Sequence, residues 1–336
     1  MKYVMKRNNR VRSFGLQWLV LLAWGASSGA MAAQCPSDHF EGFIKEFSAS
    51  AQLQQAFTAS PVTEQTVVAA GSKPRVVQKQ SRSLDASTLA MLSPESLQRS
   101  GLSMTVQLPD QLYVRDHKGE VLKVFSFKHN DCWVLNRVED WSIESVLNAQ
   151  NVNAQSSPGA RSFKRGELFN QLAIDNNSSS SAQLYVSALD SYLDGADQGS
   201  APSAFAAAGI SLSGQAPRLE NPKILDLLVY ASKSVPEAGL ALADFYCDEG
   251  NYEEKQACAN PEKSLSTLIE VARSGYALAL IQLGSAYEAG AIVQTDLPRA
   301  MACYKEAEKG GNEAASSNVE RLRSQGTVDY NTTHCL

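Results

Sequence analysis

The chain of 336 residues carries 30 Lys and Arg against 35 Asp and Glu, a net charge of −5, and 44% of it is hydrophobic. That acidic balance disfavours nucleic acid and anionic membrane as partners. Four scattered histidines (His39, His117, His129 and His334) and no Cys-x-x-Cys pair leave no metal-ligand cluster to draw, and no cofactor motif is present.

Residues 1–32 read as a cleavable secretory signal peptide. Lys2, Lys6, Arg7, Arg10 and Arg12 precede an apolar run around Trp18 to Trp24, and Ala30-Met31-Ala32 supplies the small-x-small cleavage pattern. The run is short for a membrane span. Gln34 stands where a small residue would have to precede a lipidated Cys35, so a soluble product beginning at Ala33 is expected. Cleavage removes five positive charges and no acid, which takes the net charge from −5 to near −10. The expected location is the periplasm of a Gram-negative bacterium, with no membrane insertion after cleavage.

Residues 33–148 are expected to form an α+β module. Phe40, Phe43, Ile44 and Phe47 place an apolar stripe on an opening helix, and a variable region follows. Short strands are predicted at Leu102–Leu108 and Leu112–Val114. Val121–Phe127 and Trp133–Val138 then alternate across turns at His117-Lys118-Gly119 and His129-Asn130-Asp131, giving an antiparallel sheet. The segment Phe40 to Phe47 together with Cys132 to Trp141 resembles exported cone-shaped domains of the nuclear-transport-factor-2-like (NTF2-like) type. The aromatic residues follow the periods of buried faces and read as core.

Residues 149–181 read as a flexible linker with a short helix. Asn151 to Gly159 is polar and small, Gly166 to Ala173 is briefly helical, and Asn176 to Ser181 is a low-complexity break. Beyond it, Leu184 to Gly195 is amphipathic and closes on Tyr192-Leu193-Asp194-Gly195. This stretch, with Gly166 to Leu172 before it, resembles the Rap1a/Tai immunity proteins, small exported helical proteins that neutralise type VI secretion effectors. Those proteins carry cysteines in both helices where this chain has Ala173 and Ala182 or Gln183.

Residues 182–325 are expected to be an all-α solenoid. In Leu283-Gly284-Ser285-Ala286-Tyr287-Glu288-Ala289-Gly290, the residues Ala279, Leu280, Leu283 and Tyr287 share one helical face, and Gly284 removes a side chain where a second helix can come close. Gly290 suits a helix end, Asp296 a helix cap and Pro298 a first turn, after which Ala300, Cys303, Tyr304 and Ala307 form the facing stripe. The pattern recurs. Leu242 to Tyr246 overlays Leu283 to Tyr287; Leu265, Leu268, Ile269 and Ala272 overlay the second stripe, and Ile224, Leu227, Leu228 and Ala231 repeat it once more. The spacing is uneven because of an insert, Glu249 to Asn260, whose charge run (Glu249, Glu253, Glu254, Lys255) reads as solvated surface or an interaction loop. Glu313 to Arg323 reads as a polar closing helix, and residues 326–336 as a tail. The unit resembles a Sel1-like repeat, the relative of the tetratricopeptide repeat, and that resemblance implies a stacked α/α array whose surface binds other proteins.

All six cysteines lie beyond the cleavage site, and an even count in an exported chain implies disulfides. Pairing neighbours within a module gives Cys35 with Cys132, Cys247 with Cys258 across the insert, and Cys303 with Cys335.

No GxSxG, HExxH or phosphate-cradling glycine loop occurs, since Gly209-Ile210-Ser211-Leu212-Ser213-Gly214 has its serines off register. The expected function is therefore non-enzymatic: a periplasmic scaffold or adaptor gripping an envelope protein or a secreted effector. Gln282, Ser285 and Glu288 lie off the buried stripe and are the expected partner-facing residues of the best repeat, projecting into solvent. The competing readings are an immunity protein blocking a toxin and a cell-envelope hydrolase with its site in the N-terminal module.

Overall fold

In the computed structural model the residues described are 34–71, 73–150, 157–176, 180–251, 257–326 and 332–336. The expected signal peptide, the start of the linker and the charged residues Glu253, Glu254 and Lys255 lie outside them. An α+β sheet region is followed by a run of helices.

The first helix, α1 (Phe40–Ala49), buries Phe40, Phe43, Ile44 and Phe47. After the short α2 (Ala51–Ala56), started by Ser50 accepting from Leu53 N–H, the chain forms a long hairpin, β1 (Thr58–Ala70) and β2 (Lys73–Ser81). This hairpin occupies the segment read from sequence only as variable. Gly71 turns it at φ 64°, a left-handed conformation that glycine takes without a steric penalty. Two short helices, α3 (Ala86–Ala90) and α4 (Pro94–Ser100), are each started by a side-chain cap, from Asp85 and Ser93. Strands β3 (Ser103–Gln107), β4 (Gln111–Arg115), β5 (Leu122–His129) and β6 (Trp133–Asp140) fall within a few residues of the stretches predicted from alternation. The six strands order as β2-β1-β6-β5-β4-β3. The sheet is mixed rather than purely antiparallel, because β1 and β6 run parallel.

Alternation gives this sheet two buried faces. Leu112, Val114, Phe125, Phe127 and Leu135 pack with the α1 phenylalanines. Val67, Tyr113, Leu122, Val124 and Trp141 belong to a second core.

That second core is completed by helices. After α5 (Glu144–Ala149) come α6 (Ala160–Asn176), α7 (Ser181–Asp197), α8 (Ala201–Leu212), α9 (Asn221–Ala231), α10 (Pro236–Asp248), α11 (Pro261–Arg273), α12 (Ala277–Ala289), α13 (Leu297–Lys309) and α14 (Glu313–Ser324). From α6 onward each helix packs on the next, which among the described residues makes four hairpins and a closing helix. The sequence reading had α6 as a brief helix inside a flexible joint. It is instead a 17-residue helix, and its Leu168, Phe169 and Leu172 share one core with Val124 and Trp141 of the sheet and with Leu184 and Ala188 of α7. The ordering of α6 follows from this burial, since its apolar face covers the sheet.

Polar contacts fix the joint. A Cβ on Gly119, in the turn between β4 and β5, would fall 2.1 Å from Ser191 Oγ and 2.6 Å from the Ser187 carbonyl oxygen, so only glycine lets this turn touch α7. Arg165 of α6, with its side chain 3% exposed, donates to Glu144 (3.1 Å), to the Lys118 carbonyl (3.0 Å) and to Glu120 (3.4 Å). Ser180 donates to the buried Glu139 at 2.6 Å, and Trp141 Nε1 donates to the same carboxylate at 2.9 Å.

Arg115 also pairs with Asp190 of α7 at 2.7 Å. Burial pushes the Asp190 carboxyl up to about 6, with Asp116 adding to the rise while Arg115 and His117 oppose it. The folded state therefore holds this proton more tightly than the unfolded chain, whose value is near 3.8. The Asp190 contribution to stability is complete below pH 4 and is lost as pH rises to about 6. Melting temperatures of the native chain and of Asp190→Asn should thus diverge to the native chain's disadvantage between pH 4 and pH 7. A gap that is constant over that range would show that Asp190 titrates normally.

The glycine expected to permit close helix approach does so. A Cβ at Gly284 would lie 2.6 Å from Cε1 of the fully buried Tyr304, and Gly166 stands in the same relation to Tyr192, at 2.4 Å. One packing device thus recurs in the first and last hairpins.

Three disulfides close the chain: Cys35–Cys132, Cys247–Cys258 and Cys303–Cys335, the pairs expected within modules. They fit an oxidising, exported location. Among the described residues no helix is long and apolar enough to cross a membrane.

Candidate functional site

The best-marked hairpin is built as its sequence suggests. Gly290 ends α12 at φ 69°, and the Asp296 carboxylate starts α13 by accepting from Arg299 N–H at 3.0 Å. Ala279, Leu283 and Tyr287 face Ala300, Cys303, Tyr304 and Ala307 in one core. The Arg299 guanidinium lies over the Tyr287 ring, 5.2 Å from its centre, on the outer side of the hairpin.

The three residues expected to face a partner sit differently from one another. Ser285 is exposed, and its hydroxyl is 3.1 Å from the Tyr304 hydroxyl. Gln282 is half-buried, and its Oε1 has no hydrogen-bond partner among the described residues. Glu288 does not project alone into solvent. It accepts from Tyr304 O–H at 2.8 Å and forms a forked ion pair with Arg321 of α14, one arm at 2.7 Å. The hydrogen bonds from Arg321, and then from Tyr304, hold its carboxyl below the usual range. Glu288 therefore ties the closing helix to the last hairpin. A buried tyrosine phenol needs a polar partner at the helix surface, so Tyr304 in the α13 stripe is the sequence signal for its hydrogen bond to Glu288, though not for the tie to Arg321.

A second feature lies on the same array, beside the insert. A cleft of about 1130 Å³ is lined by Arg218, Asn221, Asp248, Glu249, Asn251 and Ile292 among others, and so touches three successive hairpins. Glu249 takes a left-handed conformation there, φ 51°. Its carbonyl accepts from Arg218 at 2.6 Å and its carboxylate from Asn221 at 2.8 Å, while the adjoining Cys247–Cys258 bridge fixes the two ends of the insert. Among the described residues no group of His, Cys, Asp and Glu comes together as metal ligands.

No protein-family model matches the chain, and no curated protein matches it. Solved structures do match, and two of them are Sel1-type proteins. One is c5321, a protective antigen of uropathogenic Escherichia coli strains displaying an SLR fold; it is 22% identical, with a TM-score of 0.44 over 55% of this chain. The chain spans only 38% of the length of that protein. The other is a Sel1 repeat protein from Oxalobacter formigenes, 16% identical with a TM-score of 0.42, over 54% of this chain and 71% of the other. The chain is similar to Sel1 repeat proteins. The run of helices carries both features described above, the α12 surface with its Glu288–Arg321 tie and the cleft beside the insert.

Proposed function

We propose that this chain is a non-enzymatic protein-binding scaffold of the bacterial periplasm, exported by loss of residues 1–32, whose Sel1-like array grips a protein of the envelope or a secreted effector. The observation that carries this reading is the cleft spanning three successive hairpins. Its polar backbone and side-chain groups are held in place by Arg218, Asn221 and a disulfide, which gives a preorganised surface. The three disulfides support export, and the exposed Ser285 and half-buried Gln282 extend the surface along α12.

Crosslinking pull-down from periplasm with the mature, disulfide-intact protein tests it. Ser285→Arg is expected to keep the melting temperature, since Tyr304 O–H still donates to Glu288, and to lose the captured partner, because an added charge at an interface desolvates without complement. Glu288 is left intact in this variant because of its tie to Arg321. Full capture by this variant moves the contact off α12, and turnover of a cell-wall substrate by the pure protein overturns the non-enzymatic reading.

A further inference from the structure

A separate cavity lies in the α+β region, remote in sequence from the Sel1-like array. It is a cleft of about 800 Å³ between α2, the start of β1, the end of β2 and the short helices α3 and α4. Its volume is in the range of small-molecule sites rather than of protein interfaces. The walls alternate polar Ser, Thr and Gln side chains with the short Ala49, Ala59, Ala86 and Ala90, and with the half-buried Leu84 and Leu89 the apolar surface is the larger share.

Charge makes the cleft selective. Among the described residues that line it, Arg82 alone is charged, in a chain whose acids outnumber its bases. Arg82 is exposed, and its guanidinium has no ion-pair or hydrogen-bond partner among the described residues; only its backbone carbonyl is engaged, by Ser60 O–H at 3.0 Å. The nearest acid in sequence, Asp85, is occupied elsewhere. Its carboxylate accepts from Ser87 N–H and O–H, which lowers its pKa and starts α3. An apolar cleft with one unpaired cation complements a molecule with an apolar body and one anionic head.

We propose that this cleft binds a single-chain anionic amphiphile, with its acyl chain along the alanine and leucine walls and its carboxylate or phosphate on Arg82. The head group could come from a free fatty acid or from a lysophospholipid, and the common chemistry is an anion on an alkyl chain.

The test is calorimetric titration of the mature protein, below micelle concentrations, with laurate, with dodecyl phosphate and with dodecyltrimethylammonium. Laurate or dodecyl phosphate should bind and the cation of equal chain length should not; whichever anion is tighter names the head group. Arg82→Glu, at an exposed position, should weaken the anion roughly tenfold or more, the scale of a charge-assisted hydrogen bond. Ala90→Trp, which fills the cleft from an exposed site, should abolish binding without changing the melting temperature. Equal binding of the anions and the cation, anion binding indifferent to Arg82→Glu, or binding of neither anion would overturn the proposal.

Discussion

Replacing Cys35 and Cys132 together by alanine is expected to destabilise the protein by roughly 4.5 kcal/mol, more than loss of either other disulfide. The bridge joins residues 97 apart in sequence, against 32 for Cys303–Cys335 and 11 for Cys247–Cys258. In the chain-entropy account a cross-link restrains the unfolded chain more as the closed loop grows, giving roughly 3.5 and 3 kcal/mol for the shorter two. Native contacts act in the same direction. Cys132 precedes Trp133, whose indole donates to the Asp38 carbonyl at 3.0 Å and whose ring lies 4.8 Å from Phe40, so the bridge holds the start of α1 on the start of β6. Urea unfolding of the three double-alanine variants reads the order from their midpoints. A Cys247→Ala, Cys258→Ala protein less stable than the Cys35→Ala, Cys132→Ala protein would show that local strain, not loop length, decides.

The second large effect concerns Arg165, and its sign runs against intuition. Arg165 is buried, but its hydrogen-bonded partners Glu144 and Glu120 have side chains 40% and 49% exposed, and the more buried Asp194, 3.8 Å away, is also held by Ser162 and Gln198. Removing a partner strands a cation without water, whereas removing the cation leaves acids that solvent can reach. Glu144→Ala should therefore cost about 3 kcal/mol, at the low end of the range for broken buried pairs because Glu120 and the Lys118 carbonyl still hold the guanidinium. Arg165→Met should cost less. It keeps the volume of the stem, and Glu144 retains its ion pair with Arg161. Thermal unfolding of the two variants decides the matter, and an Arg165→Met protein that melts below Glu144→Ala would refute the ordering.

The helical array was legible where small residues recur at fixed offsets. Gly284, Tyr287, Ala300 and Tyr304 mark the α12–α13 hairpin because each has a steric task. The partner of the Ile224 to Ala231 stripe, α8, was not legible. Its Ala204, Ala207 and Ala208 are buried on a helix with apolar residues on nearly every side, so no polar face marks its period. The β1–β2 hairpin was missed for the opposite reason. Its Thr63, Gln65, Gln78 and Gln80 hydrogen-bond across the strands at 2.9 Å, in the pairs Gln78 to Gln65 and Gln80 to Thr63, and a glutamine thus shares the buried face of Val67 and its cross-strand partner Val76, which conceals the alternation. At the candidate site, exposure of Ser285 followed from helical spacing. The tie from Glu288 to Arg321 did not, since it spans 33 residues and depends on where α14 returns.

The seating of the first helical hairpin on the sheet gives the array a fixed length. At one end Val124 and Trp141 cover α6 and α7; at the other α14 is tied by Arg321, and the tail is anchored through Cys303–Cys335. Among the described residues both ends of the array are covered, one by the sheet and the other by the polar outer face of α14. Between α8 and α13 a hairpin can be gained or lost with each neighbour supplying the matching groove. In such a molecule the hairpins between the two covered ends are the interchangeable parts.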